Sequence, residues 1–232
     1  MSPRVLVQVV DDDPQVSKPL TSLLASRGYD VRLAGDAESA MSSVRAWRPS
    51  LVMCSLQMQS VDGIELCRRI RQASNVAIIV VSANSDVRSE VAALNAGADD
   101  FIVKPFNTEN LLARVRVALR RSVGTPEALP LGVGEFHIDF QDRRVRLHGQ
   151  PVRLTPKEFE LFVFMARHPN RVLPHRTLLG AVWGEASEEQ SEYLRVYVGQ
   201  LRKKLESDPA KPRYLVTEPW VGYRFNPTGM VQ

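Results

Sequence analysis

Acidic, hydroxyl and basic side chains follow apolar runs in the first half of this sequence, and together they could handle a phosphoryl group. Asp11 and Asp12 come directly after a run that begins at Val5, and Ser82 and Lys104 follow two later runs. Two carboxylates suit Mg²⁺, which prefers oxygen ligands and keeps several waters. A lysine can neutralise phosphoryl oxygens and a hydroxyl can hydrogen-bond one. These residues therefore form a candidate phosphoryl site.

Ser55 stands where a third acidic group would complete that site. It ends the apolar run Leu51–Cys54, and residues 39–61 contain neither Asp nor Glu. A serine hydroxyl near neutral pH is a poor nucleophile without a base, whereas a carboxylate is already ionised. Serine also removes a charge that a metal ion would use. We therefore expect Mg²⁺ to bind weakly and not to be required, and we expect Lys104 to pair with Asp11 or Asp12.

The elements that position these residues are short apolar segments alternating with helix-period segments. Segments that are apolar on both faces predict a parallel sheet covered by helices. Residues 1–122 are thus predicted to form an α/β domain, a (βα)5 doubly wound fold with its chemistry beyond the carboxyl ends of the strands. The predicted strands are Val5–Val10, Tyr29–Leu33, Leu51–Cys54, Val76–Val81 and Phe101–Val103.

Capping residues predict where several helices begin. Asp62 is expected to cap a helix that runs to about Arg71, and Asn107 or Thr108 is expected to cap the last helix of the first half. In the second half, Thr155 precedes a proline and has a glutamate three residues later, which predicts a capping box.

Residues 123–131 are rich in proline and small residues and predict a linker, and residues 132–232 predict a second domain of α+β type. Alternating residues at Val133–Phe140 and Arg144–Leu147 predict antiparallel strands. Helices are predicted after Thr155, from about Pro174 to Val182 and from about Glu188 to Leu205. A hairpin is predicted from Tyr214–Thr217 and Gly222–Phe225.

The last predicted helix is apolar on one face and basic on the other. Residues 195–224 carry seven Lys or Arg against three acids, an excess of 7 − 3 = +4, whereas the whole chain has a net charge of +4. Arginine and lysine can reach guanine edges or phosphates in the major groove, and glutamine can reach adenine. Taken alone, the helix favours interpretation as a solvated amphipathic helix. Together with the second helix and the hairpin, it favours DNA binding.

The first half resembles the receiver domain of bacterial response regulators in VVDDDP, Ser82-Ala83, GADDF and KPF. The resemblance implies Asp11, Asp12 and the backbone carbonyl of Gln57 as metal ligands. It also implies Ser82 as the switch hydroxyl, Phe101 as the switch aromatic, Lys104 as the phosphate-binding lysine and a cis Lys104–Pro105 peptide. Ser55 occupies the position of the family's phosphoacceptor aspartate, and Gln59 that of a proline.

The second half resembles the winged-helix DNA-binding domain of OmpR/PhoB-type regulators in LTPKEFELF, RVLPHRTLLGAVWG and VGYRF. This half looks closest to KdpE-type regulators of potassium-uptake operons in two further segments, LRVYVGQLRKKLE and DPAKPRYLVTEP. Trp183 has an alternative interpretation as a core aromatic, and Trp220 stands where the family usually has a small residue. The implied DNA contacts are Arg195, Gln200, Arg202 and Lys203 on the helix, Thr217 and Arg224 near the wing, and Arg171, Arg176 and Trp183 toward phosphates.

Such regulators bind tandem half-sites as dimers. The resemblance implies a dimer interface that includes Asp99, Asp100, Arg114 and Arg121. Glu90 and Asn110 depart from the usual charge pairs of that interface. Losing one surface ion pair, worth about 0–1 kcal/mol, need not abolish a homodimer. RNA polymerase is a candidate partner, whereas a histidine kinase is not expected.

Composition and the N-terminus predict a cytoplasmic protein. Only two cysteines occur, the N-terminus does not resemble a signal peptide, and no apolar run approaches the length of about 20 residues that crosses a membrane. A membrane partner is therefore not expected.

The sequence thus predicts a DNA-binding transcription factor, not an enzyme, that acts independently of aspartyl phosphorylation. One alternative is a conventional phosphorylation-switched regulator whose aspartate was mutated to Ser55. Another is control by serine phosphorylation, a ligand or a partner. A phosphatase using Asp11 and Asp12 would lack a nucleophile, and an adaptor without DNA binding would leave the basic helix unexplained.

Overall fold

The computed structural model describes residues 5–59, 61–119, 130–184 and 191–229. The chain divides into two compact units, Met1–Ser122 and Val123–Gln232, and each is described by itself. None of the helices in the described residues is long and apolar enough to cross a membrane.

The first unit is the predicted α/β fold, with a five-stranded parallel sheet in the order β2-β1-β3-β4-β5. Its strands are β1 (Leu6–Val10), β2 (Asp30–Ala34), β3 (Leu51–Ser55), β4 (Ala77–Ser82) and β5 (Asp100–Val103). Its helices are α1 (Pro14–Ser26), α2 (Ala37–Ala46), α3 (Gly63–Ala73), α4 (Val87–Asn95) and α5 (Thr108–Leu119).

The apolar runs form the inner strands of this sheet because both of their faces are covered. Every residue of β3 and β4 is buried. In the parallel register Ser55 lies beside Val81, and Ser82 lies beside Val103. The ends of β1, β3, β4 and β5 therefore meet at one edge, where the candidate phosphoryl residues lie.

Local signals fix the helix starts near that edge. The Asp62 side chain accepts a hydrogen bond from the Ile64 N–H and begins α3, as predicted. The Asn107 side chain accepts from the Glu109 N–H at 2.8 Å, so Asn107 rather than Thr108 caps α5. Gly63 lies against the end of β3, where a Cβ atom would clash with the backbone of Ser55 and Leu56.

The second unit begins with a four-stranded antiparallel sheet: β6 (Leu131–Val133), β7 (Phe136–Asp139), β8 (Arg144–Leu147) and β9 (Gln150–Val152). The prediction of one strand over Val133–Phe140 was wrong, because the chain turns at Gly134 and the segment contributes to two paired strands. β6 starts at the last residue of the predicted linker, most of which lies outside the described residues.

Three helices and a three-stranded sheet complete the second unit. The helices are α6 (Pro156–Ala166), α7 (His175–Trp183) and α8 (Ser191–Leu205). The sheet has the order β10-β12-β11, with β10 (Val172–Pro174), β11 (Leu215–Glu218) and β12 (Gly222–Phe225). β10 was not predicted. The predicted start of α8 at Glu188 lies outside the described residues.

Aromatic packing joins the two sheets of the second unit to α6. The rings of Phe136 and Phe162 lie 5.1 Å apart, and each lies within 5.3 Å of Phe225. The Thr155 capping box is present and starts α6 as predicted. The helices and the hairpin of this unit therefore rest on one apolar core.

Candidate functional site

Asp11 and Lys104 form an ion pair at the end of the parallel sheet. The Lys104 Nζ donates to Asp11 Oδ2 at 3.3 Å, and the Asp13 N–H donates to Asp11 Oδ1 at 2.9 Å. The Asp11 side chain is only 6% exposed, and that of Lys104 is 20% exposed. Of the two partners expected for Lys104, the structure shows Asp11.

Asp12 contacts the loop that follows β3. Its Oδ2 accepts a hydrogen bond from the backbone N–H of Gln59 at 2.5 Å. A proline at position 59 has no N–H and could not make this bond. The departure from the receiver pattern at Gln59 therefore has a structural consequence, since it ties the two loops of the site together.

Ser55 is satisfied within its own loop. Its Oγ donates to the backbone carbonyl of Gln57 at 3.2 Å, and the residue is 6% exposed. Gln57 also forms a bridge with Asp62, at the start of α3. The hydroxyl therefore points to the carbonyl that the resemblance implies as a metal ligand.

The donors expected to hold a divalent metal ion are engaged in hydrogen bonds within the protein. The expected donors are Asp11, Asp12 and the Gln57 carbonyl, and each already accepts a hydrogen bond from a protein group. In the part of the chain that the structure describes, no three His, Cys, Asp or Glu side chains form a metal-binding group. Weak Mg²⁺ binding stays a prediction.

Ser82 and Phe101 are both buried, with 1% and 3% of their surface exposed. Ser82 Oγ accepts from the Asn84 N–H at 2.9 Å, and the Ser82 carbonyl accepts from the Lys104 N–H at 2.7 Å. The Lys104–Pro105 peptide is cis, as the resemblance implied. The structure thus brings Ser82 and Lys104 to the edge where β3 ends.

The acidic residues expected at a dimer interface are engaged within the first unit. Asp99 is fully buried and accepts from Arg71 at 2.9 Å and from the Ile78 N–H at 2.8 Å. Both of these contacts are internal to the first unit, and a role for Asp99 in a dimer interface stays a prediction. Asp100 pairs with Arg114 at 2.7 Å, and Arg121 lies outside the described residues.

The predicted DNA-contacting residues of α8 fall into two groups. Lys203 is exposed, and Arg195 is exposed and pairs with Glu192 one turn earlier at 2.5 Å. Gln200 is half-buried. These three residues keep surface available on the outer face of the helix.

Arg202 has a different environment, because it joins α8 to β11. Its guanidinium donates to the Leu215 carbonyl at 2.6 and 3.0 Å and to Thr217 Oγ1 at 2.7 Å. Burial lowers the pKa of Arg202, and the group lies 5.9 Å from the Tyr223 ring centre. In this structure Arg202 positions the hairpin beside α8.

Glu206 is a positioning residue that the sequence analysis missed. Its carboxylate accepts backbone N–H bonds from Arg213, Tyr214 and Leu215 at 2.8–2.9 Å. Charge-assisted bonds of this kind are roughly twice as strong as neutral ones. The only sequence signal is an acid two residues after the basic run that ends at Lys204, and its three partners depend on the folded loop.

The remaining predicted contacts lie around the hairpin and α7. Arg171 and Arg176 are exposed, whereas Arg224 pairs with Glu218 at 2.7 Å. Trp183 is buried with Lys157 Nζ 5.0 Å from its ring centre, which confirms its interpretation as a core aromatic. Its Nε1 has no acceptor among the described residues, and a phosphate contact stays a prediction.

Both halves of the chain match described families. Residues 7–116 match the response regulator receiver domain, and residues 149–225 match the C-terminal domain of transcriptional regulatory proteins. The two matched regions fall in the two compact units.

Relatives of the whole chain are similar along nearly its full length. The DNA-binding response regulator MtrA of Mycolicibacterium smegmatis is 39% identical, covering 97% of this chain and 98% of MtrA. The KDP operon transcriptional regulatory protein KdpE of Escherichia coli is 40% identical, covering 94% of this chain and 98% of KdpE. Identity therefore does not choose between a KdpE-type and an MtrA-type regulator.

A solved structure supports the same assignment. The response regulator DrrB, a Thermotoga maritima OmpR/PhoB homologue, is 30% identical with a TM-score of 0.51, covering 97% of this chain and 100% of DrrB. The chain belongs to the OmpR/PhoB-type response regulators, transcription regulators in which a receiver domain precedes a winged-helix DNA-binding domain.

Proposed function

We propose that this response regulator is a sequence-specific DNA-binding transcription factor whose activity does not depend on aspartyl phosphorylation. The observation that carries the proposal is Ser55 at the end of β3, with its hydroxyl donating to the Gln57 carbonyl. No carboxylate occupies the position from which the family accepts phosphoryl groups.

The surroundings of Ser55 also argue against its use as a nucleophile. Its hydroxyl donates to a backbone carbonyl, whereas an activated serine donates to a base. The two carboxylates at this edge accept hydrogen bonds from Lys104 and from the Gln59 N–H. We therefore propose that the protein does not receive its signal by phosphoryl transfer from a histidine kinase. We also propose that it is not an enzyme.

DNA binding is supported by the exposed basic residues of α8, here Arg195 and Lys203, and by the hairpin beside them. Two relatives support the same function: MtrA is a DNA-binding response regulator, and KdpE is an operon's transcriptional regulatory protein. We propose that the protein acts in the cytoplasm as a dimer on tandem half-sites, where RNA polymerase is a candidate partner.

A DNA-binding assay with and without a phosphodonor tests the proposal. The full chain would first select a duplex from a random library, and anisotropy would then give its affinity in the presence and absence of acetyl phosphate and Mg²⁺. We expect the affinity of the wild type to be the same in both conditions.

Ser55→Asp is the matched variant, and Ser55→Asn is its uncharged control. Radiolabelled phosphodonor should label neither the wild type nor Ser55→Asn. A wild-type footprint that requires the donor, or stoichiometric hydroxylamine-labile phosphate on the wild type, would show that the proposal is wrong.

A further inference from the structure

Trp220 lies at the tip of the turn between β11 and β12 and is 99% exposed. The turn runs from Glu218 to Val221 and is closed by the Val221 N–H, which donates to the Glu218 carbonyl at 3.1 Å. Its large apolar ring therefore makes almost no packing contact within the chain.

The backbone at Trp220 is strained as well as exposed. Its φ is +66°, in the left-handed region that favours glycine and is unusual for a bulky aromatic residue. Pro219 precedes it and fixes its own φ near −65°, which excludes the turn types that need a positive φ at the second residue. A positive φ at the third residue is characteristic of a type II turn, and glycine or asparagine usually fills that position.

The structure around Trp220 holds this conformation in place. The His175 N–H donates to the Val221 carbonyl at 3.1 Å, and Glu218 pairs with Arg224 at 2.7 Å. Gly222 lies so close to β10 that a Cβ atom would clash with the Leu173 carbonyl. A strained residue persists where its surroundings over-determine it, and such residues concentrate at functional sites. The hairpin therefore presents the indole from a fixed base.

The charge beside the hairpin points to duplex DNA as the partner. Arg202 ties β11 to α8, whose outer face carries the exposed Lys203 and Arg195. Phosphates attract such a face, and apolar side chains that enter the minor groove part a base step and kink the duplex. A protein partner is less suitable, because stable interfaces bury about 800 Å² on each side, whereas the turn offers only Trp220 and the exposed Val221 as apolar surface.

We propose that Trp220 is an apolar wedge that enters the minor groove beside the half-site read by α8 and partly unstacks one base step. The inference rests on the proposed DNA-binding function and adds a bending and specificity role to it. Pyrimidine–purine steps unstack most easily, so the wedge position in selected sites should favour TA or CA/TG.

W220G is the decisive variant because glycine suits the left-handed backbone. Relief of strain should raise the melting temperature of W220G, so loss of function could not be ascribed to misfolding. Its affinity for the selected duplex should fall about tenfold, the range of one base–aromatic contact. The slope of log affinity against log salt should stay the same, since no phosphate contact is lost. W220F keeps a ring and is the matched control.

The assay uses the full chain and the duplex selected by the wild type, with 2-aminopurine at the step under the hairpin and a dye at each end. Wild type and W220F should raise the 2-aminopurine fluorescence and bring the dyes closer, and W220G should do neither. Equal affinity and bending for W220G and wild type would overturn the inference. The inference would also be overturned if W220G kept wild-type binding to DNA and lost only binding to phosphatidylglycerol vesicles, because Trp220 would then contact a lipid surface instead. If the wild type preferred no duplex sequence, the proposed DNA-binding function would be wrong, and this inference, which rests on it, would be wrong too.

Discussion

Lys104 Nζ lies 3.3 Å from Asp11 Oδ2, although β3 and β4 separate their two strands in the sheet. The pair spans the site whose centre is Ser55. With no carboxylate on Ser55, the lysine neutralises Asp11 directly. The ion pair joins the ends of β1 and β5, and the Ser55 hydroxyl is hydrogen-bonded within its own loop, which is a structural arrangement rather than a reactive one.

Lys104→Met should destabilise the first unit by about 2 kcal/mol. The change leaves the Asp11 carboxylate buried with only the Asp13 N–H as a donor, and an uncompensated buried charge is costly. Urea unfolding of the full chain measures the loss. Adding Asp11→Asn to Lys104→Met should cost less than the sum of the two single changes. Strict additivity would show that the ion pair contributes nothing.

Ser55→Asp should make the first unit sensitive to Mg²⁺. A third carboxylate near Asp11 and Asp12 repels both, so we expect a loss of about 1 kcal/mol without metal. Mg²⁺ should restore or exceed the original melting temperature, because three carboxylates suit the ion better than two. The wild type and Ser55→Asn should not respond. A wild type stabilised by Mg²⁺ as strongly as Ser55→Asp would contradict the weak site predicted here.

The sequence predicted the parallel sheet and the meeting of its strand ends, because apolar runs and helix periods are local signals. It left two partners open for Lys104, because choosing between Asp11 and Asp12 requires the geometry of both loops. The bond from the Gln59 N–H to Asp12 was not predictable, since a backbone donor is present at almost every position and only the folded loop aims it.

The sequence predicted the buried face of α8 but not the separate roles of its basic residues. Its spacing predicted which residues face inward, and Leu194, Val198 and Leu201 are all buried. Arg202 has the same charge as Lys203, yet its guanidinium is used by the Leu215 carbonyl and Thr217. Residue charge and helical spacing do not distinguish an arginine that hydrogen-bonds to the hairpin from a lysine whose side chain is exposed.

Lys203→Ala and Arg202→Ala should therefore weaken DNA binding for different reasons. Lys203→Ala should lower affinity and reduce the salt slope by about one, with little change in stability, because we propose that this exposed lysine contacts one phosphate. Arg202→Ala should also lower the melting temperature of the second unit, since three hydrogen bonds to β11 are lost. Equal melting temperatures for the two variants would show that Arg202 does not position the hairpin.

The hydroxyl of Tyr214 donates to the Glu135 carboxylate, which links β11 to the first sheet of the second unit. Burial, and then this hydrogen bond, raise the pKa of Tyr214 to about 12 from an ordinary value near 10. The unfolded chain therefore releases this proton before the folded chain does. Its contribution to stability is complete below about pH 10 and is lost as the pH rises through about 12.

Tyr214→Phe should remove that part of the pH dependence. We expect the difference in unfolding free energy between wild type and Tyr214→Phe to be flat below about pH 10 and to fall between about pH 10 and 12. Tyr223, whose pKa burial also raises, is present in both proteins and cancels in the difference. A Trp47→Phe background leaves Trp183 and Trp220, both in the second unit, as the fluorescence signal during urea unfolding. If this difference in unfolding free energy instead rose between about pH 10 and 12, the folded state would favour the ionised phenol and the prediction would be wrong.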